Sequence, residues 1–104
     1  NMITTTGKDV REVRHELSKL IKSRKDSELF FQMMDEIISR AYLLGLITIN
    51  EYEFLLTELV LLANDWKAKR VKRMKDEEFA RFYDRYANLV DFYFYANEAL
   101  NSFS

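Results

Sequence analysis

Apolar residues recur at alternating steps of three and four along most of this chain. That spacing puts them on one face of an α-helix, because an α-helix has about 3.6 residues per turn. Proline is absent and only two glycines occur, so few positions favour turns or sheet edges. The pattern therefore predicts an all-α, four-helix bundle-like fold, with helices at 8–24, 27–44, 49–73 and 77–101.

Each predicted helix carries a stripe of apolar residues that would form a shared core. In the first helix the stripe is Val10, Val13, Leu17, Leu20 and Ile21, and in the second it is Phe30, Met34, Ile37, Ala41 and Leu44. In the third it is Tyr52, Leu55, Leu59, Leu62 and Trp66, and in the fourth it is Phe79, Phe82, Tyr86, Leu89, Tyr93, Ala96 and Leu100. A chain of 104 residues with these stripes is expected to fold as one domain.

The segment between the second and third helices has the residues of a tight helix–helix corner. Gly45 suits the left-handed conformation that closes a helix, and Leu46 can fold back onto the last turn. Thr48 and Glu51 have the spacing of a capping box that begins the next helix. The sequence resembles the short helical hairpin called SHOCT, in which a Gly-Leu-Ile-Thr turn precedes Glu and an aromatic residue. The matching residues are Gly45, Leu46, Ile47, Thr48, Glu51 and Tyr52, and the resemblance implies a helical corner without any particular function.

The boundary between the third and fourth helices is marked by a loss of apolar periodicity. Extended in heptads, the stripe of the third helix would require apolar residues at 69, 73 and 76, where the sequence has Lys69, Arg73 and Asp76. A break near 74–76 is therefore expected, with Asp76 as the N-cap of the fourth helix. One continuous helix is the alternative.

Composition narrows the classes of function. Sixteen Lys and Arg against 17 Asp and Glu give a net charge of −1, so no global basic field draws the protein to nucleic acid. The chain has no cysteine, which suits a reducing compartment and favours a cytoplasmic protein. Charged residues interrupt every apolar stretch, and the first residues lack the pattern of a secretory signal, so neither a membrane span nor secretion is expected.

A cluster of six cations stands out near the end of the third helix. We call it the basic cluster, and it comprises Lys67, Lys69, Arg70, Lys72, Arg73 and Lys75. Cations in a last turn followed by acids in a first turn are what the helix dipoles favour, and on one helix these cations would point nearly all around. A solvated helix end is thus the simplest interpretation. Contact with an acidic protein or with nucleic acid remains the alternative.

DNA recognition through the corner is disfavoured by charge. Ala41, Gly45 and Phe54 fit the spacing of a helix-turn-helix, but Glu51 falls where an apolar residue should pack. The helix that would enter the groove carries acidic residues and no cation, so the phosphates would repel it.

The familiar catalytic and metal-binding arrangements are missing from the sequence. His15 is the only histidine, so the pair Glu12 and His15 has no second His to complete a di-iron site. There is no glycine-rich phosphate loop. A Ser-His-Asp triad could use only this one histidine, and without cysteine there is no thiol nucleophile. We therefore expect neither an enzyme nor a bound cofactor or metal.

The fourth helix has more apolar surface than one face requires. Phe92, Tyr93, Phe94 and Tyr95 are consecutive, so their side chains together circle the helix. A helix that is apolar all around should be buried all around, by the bundle or by another chain. We expect a homodimer or target-binding interface on this helix, with contacts at Phe82, Tyr86, Val90, Tyr93 and Phe94.

These observations predict a small cytoplasmic, non-enzymatic protein that binds another protein as a regulator, inhibitor or adaptor, acting as a homodimer through the fourth helix. One alternative is an accessory nucleic-acid-binding protein of plasmid or phage type that uses the basic cluster at 67–75. Another is an immunity protein against a peptide toxin, because small helical bundles serve in that role.

Overall fold

The computed structural model describes residues 11–15 and 24–102, and all of its regular elements are helical. Three long helices contact one another, which confirms the all-α prediction for the described residues. Of the predicted first helix, residues 11–15 are helical, whereas 8–10 and 16–23 lie outside the described part of the chain. The elements are α1 (residues 11–15), α2 (Arg24–Leu43), α3 (Ile49–Lys67), a 3-10 turn (Val71–Arg73) and α4 (Asp76–Asn101).

The core lies where α2, α3 and α4 meet, and the predicted stripes supply most of it. The large side chains that are almost completely buried are Met34, Ile38, Leu62, Val71, Phe79, Phe82 and Leu89. Burial of each such side chain stabilises the fold by about 1.5–3 kcal/mol. Ile38 and Val71 lie outside the predicted stripes, while the other five lie on them.

Trp66 joins the three long helices through aromatic contacts. Its ring, 3% exposed, stacks on Phe30 of α2 at 5.6 Å between centroids and meets Phe31 edge-on at 5.4 Å. Phe82 and Tyr86 of α4 lie 6.3 Å and 6.1 Å away. Such aromatic pairs add about 0.5–1.5 kcal/mol each beyond the area they bury.

The corner between α2 and α3 has the predicted caps. Gly45 has a φ of 77°, and its amide donates to the Tyr42 carbonyl at 3.1 Å. The Leu46 amide reaches back to the Ala41 carbonyl at 2.8 Å, which completes a Schellman closure. The capping box is confirmed: the Glu51 amide donates to the Thr48 hydroxyl at 3.1 Å, and the Glu51 carboxylate accepts from the Thr48 amide at 2.8 Å.

The connection between α3 and α4, which we call the joint (residues 68–75), differs from the prediction. α3 ends at Lys67, six residues before the predicted 73, and the two helices are not continuous. Lys69 adopts a left-handed φ of 55°, and the Arg70 amide donates to the Asp65 carbonyl at 3.2 Å. The chain thus forms a second Schellman closure around a lysine.

Burial of two apolar side chains explains the early break. Val71 is 1% exposed and Met74 is 8% exposed, so the joint folds back onto the core. The N-cap of α4 is Lys75, without a side-chain hydrogen bond, and Asp76 is the first helical residue, which corrects the predicted N-cap. Asp76 still lies in the first turn, where a negative charge favours the helix dipole.

Arg14 of α1 holds the joint from the other side. Its guanidinium donates to the Met74 carbonyl and pairs with the Asp76 carboxylate at 3.0 Å. The same group lies 4.6 Å from the centre of the Phe79 ring. Because the side chain is largely buried, these contacts fix α1 against the beginning of α4.

Two helix closures with different residues at the left-handed position give a paired test. Lys69→Gly should raise the free energy of unfolding by about 0.5–1 kcal/mol, because glycine adopts this φ without the steric cost of a Cβ. Gly45→Ala should lower it by about 1 kcal/mol through backbone strain alone, because a Cβ there would meet no atom within 4 Å. Urea denaturation followed by far-UV circular dichroism measures both changes. A loss of stability in Lys69→Gly would contradict the left-handed turn at the joint.

Candidate protein-interaction surface

Phe82 and Tyr86, two of the predicted interface residues, contribute to the core of the monomer. Phe82 is 1% exposed and lies between Trp66 and Phe79. Tyr86 is half-buried and stacks on Phe30 at 5.7 Å. Burial raises the pKa of the Tyr86 hydroxyl, and the neighbouring Tyr83 raises it further. Neither side chain presents a full face to solvent.

The other three predicted contacts on α4 range from half-buried to exposed. Val90 and Tyr93 are half-buried, and Tyr93 packs edge-on against Phe94 at 5.9 Å. Phe94 is 65% exposed. Tyr95 is 57% exposed, although the sequence did not single it out as a contact. The structure thus splits the five predicted residues between the core, its edge and the surface.

A groove separates the beginning of α3 from the end of α4. It has a volume of about 380 Å³, close to the lower limit for ligand pockets. The lining is mainly apolar and comes from the corner, α3 and α4: Leu46, Ile47, Asn50, Glu51, Phe54, Leu55, Phe92 and Tyr95. α3 and α4 therefore run antiparallel, with the corner beside the last turns of α4.

Large exposed apolar residues concentrate at this end of the molecule, formed by the corner, the start of α3 and the end of α4. They are Tyr42, Leu43, Leu44, Ile49, Phe54, Phe94 and Tyr95. The remaining large exposed apolar residues among those described are Leu29 and Met33 on α2 and Val60 and Leu61 on α3. Single apolar residues on a surface are ordinary, whereas a contiguous group marks an interaction site.

The charges at this end are almost all negative. The sequence has no Lys or Arg between Arg40 and Lys67 and none after Arg85. Exposed carboxylates there are Glu51, Glu53, Asp91 and Glu98. We call this region the acidic end.

Helical spacing arranges the acidic end into two similar rows. On α3, Glu51 and Glu58 flank Phe54 at three and four residues, so the three side chains share one side of the helix. On α4, Asp91 and Glu98 flank Tyr95 in the same way. Glu58 also pairs with Arg85 of α4 at 3.1 Å, one turn beyond the groove toward the joint. Each row therefore places an exposed aromatic ring between two acids.

All six cations of the basic cluster are exposed, at the opposite end of α3. The ammonium of Lys67 lies 5.9 Å from the centre of the Phe31 ring, and Arg70 pairs with Asp65 at 3.6 Å. The prediction that the cations circle one helix is wrong, because α3 ends at Lys67. Val71 and Met74 fill the core instead, so the cations between and around them point to solvent.

The part of the chain that the structure describes contains no group of three or more His, Cys, Asp or Glu residues able to hold a metal ion. Glu12 and His15 lie exposed on α1. Among residues 11–15 and 24–102, no helix is both long and apolar enough to cross a membrane.

Sequence reasoning missed Phe54 as a surface residue. The signal was present, because Phe54 lies off the stripe of Tyr52 and Leu55 and between two glutamates. It is 59% exposed in the structure. An aromatic residue off the buried stripe indicates an exposed apolar surface, as the surplus apolar residues of the fourth helix do.

Comparison with known proteins adds no relative: no protein-family model, curated protein sequence or solved structure matches the chain.

Proposed function

We propose that this protein is a non-enzymatic helical protein that works by binding another protein, as a regulator, inhibitor or adaptor. The observation that carries the proposal is the acidic end. There Phe54 and Tyr95, each more than half exposed, stand at the edge of an apolar groove. Aromatic residues are enriched where protein surfaces meet and supply much of the binding energy.

The position of the groove also supports the proposal. Its floor comes from three segments that the core and the two corner caps hold in place, so little ordering of the backbone would accompany binding. On binding, the exposed rings of Phe54 and Tyr95 would lose their contact with water and pack against the partner. A surface that is already formed can bind a partner without a large loss of conformational entropy.

Self-association through α4 stays a prediction. Of the five residues predicted for that contact, Phe94 is the most exposed, and the others already pack against the monomer in full or in part. The immunity interpretation also stays a prediction, since none of the described contacts bears on a toxin.

Replacing the two groove aromatics tests the proposed function. Phe54→Ser with Tyr95→Ser should abolish capture of a specific protein from a lysate of the source organism, because truncating a central aromatic typically weakens binding by about 2 kcal/mol or more. The matched control is Leu29→Ser with Met33→Ser, which removes exposed apolar side chains from α2.

Mass spectrometry of the retained proteins, with and without nuclease, gives the result. We expect a protein that the wild type and the α2 control both retain and that the groove variant loses. Its retention should not change with nuclease. An identical retained set for all three proteins would contradict a role for the groove.

A second candidate function, nucleic-acid binding, is favoured by one observation at the joint. Burial of Val71 and Met74 leaves the neighbouring cations of the basic cluster directed to solvent. Cations presented together can contact several phosphates, with affinity that falls as salt displaces them. The acids Asp76, Glu77 and Glu78 follow directly and weaken this field.

Charge reversal at the joint tests the second candidate. Lys69→Glu, Arg70→Glu, Lys72→Glu and Arg73→Glu together should abolish any salt-sensitive binding to duplex or single-stranded probes, measured by fluorescence anisotropy. For the wild type, the logarithm of affinity should fall by about 0.7–0.9 per contacted phosphate for each tenfold rise in salt. Arg40→Glu with Arg81→Glu serves as the control. Binding that survives the four substitutions would show that the basic cluster does not contact nucleic acid.

A further inference from the structure

The acidic end combines an apolar groove with carboxylates on both of its sides. Glu51 lines the groove on α3, while Asp91 and Glu98 flank Tyr95 on α4. We propose that this groove binds a cationic amphipathic α-helix of a partner protein. The inference rests on the proposed protein-binding function and specifies the chemistry of the partner.

The apolar part of the site suits a helix laid along the groove. Leu46, Ile47 and Leu55 form part of its lining, and the rings of Phe54 and Tyr95 stand on opposite sides. Each acid–aromatic–acid row covers two helical turns, about 10 Å. A partner helix would insert apolar side chains at three- and four-residue spacing, as helices do in hydrophobic grooves.

The charges select the sign of the partner. No described ion pair involves Glu53, Asp91 or Glu98, and Arg85, the last cation along α4, is already paired with Glu58. Lys or Arg residues flanking the apolar face of a partner helix would meet these carboxylates from both sides. Such complementarity fixes the register of the helix and accelerates its association.

The same charges disfavour other occupants of the groove. A two-fold contact of this end with a second copy would bring the acidic residues Glu51, Asp91 and Glu98 of the two copies close to one another, where like charges repel. An anionic lipid surface or a nucleic acid would be repelled for the same reason.

Two synthetic peptides give the most direct test. Both form an amphipathic helix of about four turns with leucines on one face, and they differ only in whether the flanking positions carry Lys or Glu. Fluorescence anisotropy of the labelled peptides against the full chain should give saturable binding of the Lys peptide, at least about tenfold tighter than the Glu peptide at low salt. The preference should shrink at high salt, because salt screens exposed charges.

Neutralising the rows should remove the preference without disturbing the fold. Glu51→Gln, Asp91→Asn and Glu98→Gln together should bring the two peptides to within about threefold of each other. Glutamine still serves the capping box at position 51, so α3 keeps its beginning. The matched control removes three negative charges elsewhere, through Asp35→Asn, Glu36→Gln and Glu77→Gln, and should keep the tenfold preference.

Several results would overturn the inference. Equal binding of both peptides, or a preference that survives neutralisation of the rows, would show that the carboxylates do not select the partner. Lys-peptide binding that persists in Phe54→Ser with Tyr95→Ser would place it outside the groove. Failure of both peptides would also overturn it, and nuclease-resistant capture that depends on the groove would then leave the proposed protein-binding function intact.

Discussion

The packing of Trp66 against α2 and α4 determines how α3 sits in the molecule. Because Phe30, Phe31 and Phe82 enclose the indole of Trp66, the rotation of α3 about its own axis is fixed. Phe54 lies about 120° around the helix from Trp66, since successive residues are about 100° apart. The residues that close the core at one end of α3 therefore fix which residues reach solvent at the other. An exposed Phe54 is a consequence of a buried Trp66.

A near-zero net charge conceals a strong separation of charge along the molecule. The last residue of α3 and the joint carry the basic cluster, whereas the opposite end carries acids and large apolar side chains. The two ends have different structural origins. Capping chemistry at Gly45, Thr48 and Glu51 builds the corner, while burial of Val71 and Met74 shapes the joint. Each end therefore offers a surface of a different sign to the surroundings.

Periodicity predicted the long helices well because the core depends on a simple regularity. Met34, Leu62 and Leu89 were placed on buried stripes by spacing alone, and they are buried. The corner was predictable because Gly45 and the capping box leave direct chemical signals.

The joint and the surface were harder to predict, for identifiable physical reasons. The left-handed position at the end of α3 is occupied by Lys69, not by the glycine or asparagine that usually marks it. The end of α3 at Lys67 could therefore not be placed from the sequence. Phe82 was placed both on the apolar stripe of the fourth helix and at an interface, because spacing cannot distinguish a core aromatic from a surplus one. Only the distances to Trp66 and Phe79 decide that question. The groove, likewise, depends on how α3 and α4 meet, which no single helix encodes.

Binding at the acidic end requires that its exposed aromatic residues are open to solvent in the free protein. Hydroxyl-radical footprinting read by mass spectrometry tests it most directly, because oxidation of an aromatic side chain follows its access to solvent. We expect Phe54, Phe94 and Tyr95 to be oxidised rapidly and Phe79 and Phe82 slowly, at every protein concentration. Protection of Phe54 and Tyr95 to the level of Phe82 would contradict the account, because the acidic end would then already be covered.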